Sequence, residues 1–246
     1  MRNLSTVEQA FPEKYSQLLL EALIEISGKG SIQNWTRSVS QHLLQLWPIL
    51  AKERGNSNET AHYSMSRDKA LAYASYYLPA NFLKISAILD ECFSLGLPMF
   101  KAKKWLDIGC GPGTALWGLS HWFEKNGSVV SVNLNDIQYR GVDQSKQFTE
   151  LAERLGSALR PLQNSFQTQK LEMLSPTSKS QLFETILAFM PEALSFMNSL
   201  SEVSEEVDVR GEFFLELLET ARVVAKKNGA PMWILWVEPG SKSGSR

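Results

Sequence analysis

This chain of 246 residues has few cysteines and histidines, and its net charge is close to zero. The two cysteines, Cys92 and Cys110, lie far apart, and the three histidines are scattered, so their spacing predicts neither a disulfide framework nor a metal site. The formal net charge is -1, which excludes a general electropositive field of the kind that attracts nucleic acid. Any contact with RNA must therefore be local.

Long apolar runs are absent as well. No segment approaches the roughly 20 apolar residues that span a bilayer. The first residues, MRNLSTVEQAFPEKY, lack the pattern of a signal peptide or a transit peptide. We therefore expect a cytoplasmic protein with no membrane partner, and the sequence gives no indication of the oligomeric state.

The first 98 residues are predicted to form a helical extension. Apolar side chains recur at helical spacing from residue 12 onwards, as in Leu19, Leu23 and Ile26. The polar stretch 52–60 is predicted to be a loop. Pro79 lacks an amide donor, so the segment AYASYYLPANFLK is predicted to be two helices that meet at a corner.

Residues 99–246 are predicted to form an α/β domain, because short apolar runs here alternate with amphipathic helices. The helices are placed at 114–125, after Ser145 as the N-cap, and at 213–225. About five parallel strands are expected. They are placed at 105–108, before Asp143, near 169–174, at 183–189 and at 233–238.

The segment Asp107-Ile108-Gly109-Cys110-Gly111-Pro112-Gly113 carries the main chemical signal. A strand runs into three alternate glycines and then a helix, which lets the backbone approach a ligand closely. Dinucleotide folds place the third glycine one residue later, where this chain has Thr114. The pattern is typical of S-adenosylmethionine-binding methyltransferases of class I, and the alternative is a structural strand–helix turn.

Two acidic residues follow strands at the expected cofactor edge. Asp107 is predicted to orient the methionine ammonium of the cofactor, and the alternative is that it caps the amides of the glycine loop. Asp143 is predicted to accept hydrogen bonds from both ribose hydroxyls, as in dinucleotide folds. Cys110 is interpreted as a small packed residue of the loop.

The segment after the predicted fourth strand is expected to lie beside the reacting methyl group. Phe189 and Met190 are therefore candidates for the cofactor pocket, with ordinary packing as the alternative. The segment has no Asp/Asn-Pro-Pro-aromatic motif for methylating exocyclic amines. No catalytic base is identified, although methyl transfer depends largely on positioning.

Three segments resemble a known family: YASYYLPANFLKISAIL, PMFKAKKWLDIGCGPGTALW and WVEPGSKSG. Together they resemble the methyltransferase-like proteins associated with the mitochondrial small ribosomal subunit, including their bacterial relatives. A complete class I methyltransferase sheet has seven strands, so with about five predicted here we expect a Rossmann-like sheet whose terminal strands are missing from this chain. The resemblance also implies that Asn81 or Tyr77 reaches toward the cofactor from a lid, and the alternative is that these side chains dock the helical extension on the sheet.

The same resemblance gives the expected function. Such proteins are thought to bind S-adenosylmethionine and to assist small-subunit assembly or rRNA methylation. The iron–sulfur centre of mitochondrial members is not expected here, because neither cysteine matches its cluster. The alternatives are a non-catalytic ribosome-assembly factor and a small-molecule methyltransferase.

Overall fold

The computed structural model describes residues 12–52, 66–159, 163–169, 176–197 and 207–237. The chain begins with three helices and continues with alternating strands and helices. The helices are α1 Glu13–Ser27, α2 Ile32–Lys52, α3 Arg67–Ser94, α4 Thr114–Val130, α5 Lys146–Gly156, α6 Pro176–Phe189 and α7 Val207–Asn228. The strands are β1 Lys104–Ile108, β2 Gln138–Asp143, β3 Gln163–Thr168, β4 Ala193–Met197 and β5 Trp233–Val237.

The five described strands form one sheet in the order β3-β2-β1-β4-β5, and every neighbouring pair is parallel. Two apolar cores cover its faces. One joins α1, α3, α4 and α5 to the sheet, and the other packs α6 and α7 on the opposite face. The predicted α/β class with an N-terminal helical part is thus confirmed, and the helical part shares the first core with the sheet.

Helix α3 differs from the prediction, because one helix includes Pro79 where two were expected. A proline inside a helix costs roughly 3 kcal/mol. Leu78 and Phe82, on either side of Pro79, are both fully buried in the first core. Burial of each such side chain contributes about 1.5–3 kcal/mol, which offsets the proline. The predicted division into two helices is therefore wrong, because packing on both sides of Pro79 stabilises one helix.

Two predicted strands are placed differently in the structure. The third described strand is Gln163–Thr168, an edge strand that pairs with β2 and has one apolar residue, Phe166. Gln169 follows it outside any strand, and the rest of the predicted 169–174 strand lies outside the described residues. The segment 183–189 belongs to α6, and the fourth strand is Ala193–Met197, which is fully buried. Leu182 and Ile186 are buried at helical spacing, so this segment packs as a helix.

The predicted strands at 105–108 and 233–238 and the strand that ends at Asp143 are found as β1, β5 and β2, and Glu238 lies outside the described residues. Ser145 caps α5, as predicted, by accepting a hydrogen bond from the Phe148 amide. The part of the predicted loop beyond Lys52, the Glu238-Pro239-Gly240 turn and the tail also lie outside the described residues. None of the described helices has the length and apolar character needed to cross a membrane.

Candidate functional site

A cleft lies at the carboxyl edge of the sheet, beside the point where the strand order reverses between β1 and β4. Ligands of open α/β sheets bind at such switch points. The cleft encloses about 330 Å³, including its open mouth. It is bordered by the glycine loop (residues 109–113), by one face of α3 and by Met197 at the end of β4.

The glycine loop needs its glycines for backbone reasons. Gly109, Gly111 and Gly113 have φ values of 70°, 52° and 86°, in the left-handed region that other residues rarely adopt. The amides of Gly109 and Cys110 both donate to the Val142 carbonyl at the end of β2. The loop is thus held against β2, and Gly109 and Gly111 leave backbone without side chains on the cleft.

Asp143 fixes the glycine loop through its carboxylate. Its Oδ2 accepts a hydrogen bond from the Gly111 amide at 2.8 Å, and its Oδ1 accepts one from the Ser145 amide at 2.8 Å. The side chain is buried, and desolvation raises its pKa while these amide bonds lower it. Asp143 therefore caps both the loop and α5, which is the capping role that the sequence left open for Asp107. The contact of Asp143 with a cofactor ribose stays a prediction, and Asp143 is not among the residues that line the cleft.

Asp107 lies beneath the loop in a hydrogen-bonded bridge across three strands. Its Oδ2 accepts from the Tyr139 hydroxyl and its Oδ1 from the Ser195 hydroxyl, both at 2.6 Å. The side chain is 0% exposed, and burial raises its pKa to about 7 against the hydrogen bonds that lower it. These surroundings argue against direct contact with a cofactor ammonium and leave Asp107 an indirect influence, through the loop that follows it.

The raised pKa of Asp107 predicts a pH dependence of stability. Because the folded state keeps the proton between the ordinary pKa of 3.8 and about 7, stability falls as pH rises through this window and levels off above it. We expect Asp107→Asn to lose part of this slope, on the order of 1 kcal/mol per pH unit. Urea unfolding of both proteins at pH 5, 6, 7 and 8 measures the difference, with Asp136→Asn as the exposed control. A difference that does not change with pH would contradict the assignment.

One face of α3 forms the wall of the cleft opposite the glycine loop. Tyr73, Tyr77 and Asn81 follow each other at intervals of four residues and all line the cleft. The rings of Tyr73 and Tyr77 are stacked at 4.4 Å between centroids, and Tyr73 also contacts Phe148 of α5. The Asn81 amide donates to the Tyr77 carbonyl at 2.9 Å. Tyr77 and Asn81 thus line the same cleft as the glycine loop, and their predicted reach toward a cofactor stays a prediction.

Three cleft residues were not predicted from the sequence: Tyr73, Thr114 and Met197. The helical spacing that links Tyr73 to Tyr77 and Asn81 is a signal that identifies it once α3 is known to be continuous. Met197 is found only when β4 is placed correctly. Cys110 and Pro112 also line the cleft, and burial raises the pKa of the Cys110 thiol well above its usual range.

The position predicted for Phe189 and Met190 is wrong. Both residues precede β4, so they lie at the amino edge of the sheet, opposite the cleft. Met190 ends α6 in the left-handed conformation, with φ 53°, and its amide donates to the Ile186 carbonyl. The Phe189 ring lies 4.4 Å from the Arg140 guanidinium. Their assignment to the cofactor pocket therefore loses its geometric basis.

Two groups of basic residues that could contact phosphates also lie toward the amino edge. Lys101, Lys103 and Lys104 precede or begin β1, and Lys103 pairs with Asp136 at 3.1 Å. The second cluster, Arg222, Lys226 and Lys227, is exposed near the end of α7, one loop before β5. Phosphates bound there would be remote from the cleft. In the part of the chain that the structure describes, no group of His, Cys, Asp and Glu side chains is arranged to hold a metal ion.

The strand order, the glycine loop and the acid after β2 together define a Rossmann-like α/β sheet. Residues 67–182, which are 116 of the 246 residues, match the family described as mitochondrial small ribosomal subunit Rsm22. The resemblance predicted from the sequence is confirmed over this part of the chain. No curated protein matches the chain.

Among solved structures, the chain is similar to the plantazolicin methyltransferase BpumL, crystallised in complex with a monoazolic desmethylPZN analog and SAH. The two chains are 13% identical, the match covers 87% of this chain and 77% of the other, and the TM-score is 0.27. At this TM-score, residue positions in the two proteins cannot be equated.

Proposed function

We propose that this protein binds S-adenosylmethionine in the cleft between the glycine loop and α3, and that it acts with the RNA of the small ribosomal subunit. The observation that carries the first half is the glycine loop itself. Its three left-handed glycines lie at the switch point of a parallel sheet, and an aromatic and amide-bearing helix face covers them. The second half rests on the description of the matching family.

The residues of the cleft offer chemistry that suits such a cofactor. S-adenosylmethionine supplies an electrophilic methyl group when bound, and the protein has to hold and orient it. The loop backbone offers close approach, Asp143 keeps the loop in place, and Asn81 adds a polar amide. Tyr73 and Tyr77 give an aromatic wall that excludes water. Positioning of this kind supplies much of the acceleration for an in-line displacement.

A loop variant with a matched control tests cofactor binding. Gly111→Ala and Gly229→Ala both place a Cβ at positive φ, 52° and 66°, and neither Cβ meets an atom within 4 Å. The strain is about 1–2 kcal/mol at either position. Gly111 lines the cleft and Gly229 does not, so we expect S-adenosylmethionine to bind at least tenfold more weakly to Gly111→Ala and normally to Gly229→Ala. Calorimetry measures both affinities, and absence of binding by the unaltered protein would refute the proposal.

Methyl transfer to isolated small-subunit RNA tests the rest of the proposal. With a labelled methyl donor, we expect incorporation into RNA by the unaltered protein and loss of incorporation in Gly111→Ala. Cofactor binding without incorporation would favour the non-catalytic assembly factor. Incorporation into small metabolites, together with failure to bind ribosomal particles at moderate salt, would favour the small-molecule methyltransferase.

A further inference from the structure

A polar surface groove runs along one flank of α6, on the face of the sheet opposite α3. Leu182 and Ile186 of α6 are buried against the sheet, and the polar side chains of Gln181, Glu184 and Thr185 lie beside them on the flank of the helix. The strands contribute polar side chains too, and the groove is open to solvent. The α6 groove, as we name it, is lined chiefly by Arg140, Gln167, Gln169, Gln181, Glu184 and Thr185. It shares no residue with the cofactor cleft.

Two opposite charges line the α6 groove without pairing with each other. Arg140, on β2, is half-buried and packs its guanidinium on the Phe189 ring at 4.4 Å. Within the described residues, neither Arg140 nor Glu184 forms an ion pair. A ligand that bridges them must accept hydrogen bonds from Arg140 and donate hydrogen bonds to Glu184. Glu184 disfavours a simple anion such as phosphate.

Gln169 adds an unsatisfied amide to the same groove. Its side chain is 8% exposed, and its Oε1 accepts a hydrogen bond from the Thr185 hydroxyl at 3.0 Å. Its Nε2 is buried and has no hydrogen-bond partner among the described residues. A buried donor without a partner costs about 1–3 kcal/mol, so a ligand acceptor that reached it would recover this loss.

We propose that the α6 groove binds a guanine base. Guanine presents two adjacent donors, N1–H and N2–H, which match a carboxylate such as that of Glu184. Its O6 and N7 acceptors match the donors of an Arg or Gln side chain. A planar base can also stack on the guanidinium of Arg140, as bases do on arginine in complexes with single-stranded RNA. Adenine, cytosine and uracil lack the pair of adjacent donors.

Calorimetry with four probes tests the specificity: GMP, AMP, and the RNA tetranucleotides UUGU and UUAU. We expect the guanine form of at least one pair to bind tenfold or more tightly than the adenine form. Binding of GMP alone indicates a free nucleotide as the natural ligand, and binding of UUGU alone indicates an RNA base. Equal affinity for guanine and adenine, or no binding of either guanine probe, would overturn the proposal.

Variants show whether the base occupies this groove. Glu184 is exposed, so Glu184→Gln should fold normally, which circular dichroism checks. We expect it to reduce the preference for guanine to less than threefold while leaving S-adenosylmethionine affinity unchanged. Glu150→Gln, an exposed carboxylate on α5, is the matched control and should keep the preference. Full guanine preference in Glu184→Gln would place the base elsewhere and contradict the proposal, whatever the outcome for the cofactor.

Discussion

Replacement of Gly118 by alanine is expected to lower the free energy of unfolding by about 2–3 kcal/mol. Gly118 lies in α4 where this helix crosses α3, and the added Cβ would lie 2.5 Å from the Phe82 carbonyl oxygen. Ser86 of α3 donates a hydrogen bond to the Gly118 carbonyl at 3.1 Å, so the two backbones are joined at this point. Since the obstructing atom is backbone, no rotamer change relieves the clash and the helices must separate.

Gly211→Ala is the matched control for this prediction. Gly211 is also helical, in α7, but a Cβ there meets no atom within 4 Å. The higher helix propensity of alanine should therefore stabilise this variant by roughly 1 kcal/mol. Urea unfolding followed by circular dichroism gives both values. If Gly118→Ala unfolds at the same urea concentration as the unaltered protein, the close approach of α3 and α4 is contradicted.

Asp143→Ala is expected to weaken S-adenosylmethionine binding at least a hundredfold, which is about 2.7 kcal/mol. The variant loses the acceptor that holds the Gly111 amide, and with it the acceptor for the Ser145 amide at the start of α5. Two partly buried donors are left without their partner, so the loop relaxes. The group proposed to receive the ribose is lost at the same time. Calorimetry measures the affinity, and thermal unfolding measures the accompanying loss of stability.

Two further variants separate these contributions. Asp143→Asn keeps one carbonyl oxygen as an acceptor, so it should retain more affinity than Asp143→Ala. Asp136→Ala removes an exposed carboxylate that pairs with Lys103 and should bind the cofactor normally. If Asp143→Ala lowers the melting temperature but binds S-adenosylmethionine as the unaltered protein does, Asp143 serves only the fold.

The part of the fold next to the glycine loop could be predicted from the sequence because its signals are local. The strand before Gly109 is a short apolar run, and the three alternate glycines that follow it are recognisable from the sequence alone. Ser145 caps a helix with a regular apolar stripe. In each case propensity, spacing and final packing agree, which is the condition under which sequence patterns are reliable.

The errors arise where long-range packing decides. The segment 183–189 is apolar enough for a strand, yet burial of Leu182 and Ile186 against α7 and the sheet makes it helical. Because of that one error, Phe189 and Met190 were predicted at the wrong edge of the sheet and Met197 was not predicted in the cleft. At Pro79 the prediction failed for a different reason: the cost of a proline inside a helix is offset by the buried side chains beside it. The side-chain partners of Asp107 lie on strands 32 and 88 residues away in sequence, so no local pattern reveals them.

The enclosure of Cys110 has a practical consequence for labelling. A Cβ at Gly141 would lie 2.8 Å from the Cys110 sulfur and 2.7 Å from the Phe166 ring. The Cys110 thiol is therefore packed closely against β2 and β3, and the residue is buried. Cys92, near the end of α3, is only half-buried. A maleimide dye can therefore modify Cys92 in preference to Cys110 without removing any native cysteine. The dye is then attached to the same helix as Tyr73, Tyr77 and Asn81. Ligand titrations can therefore be followed by its fluorescence.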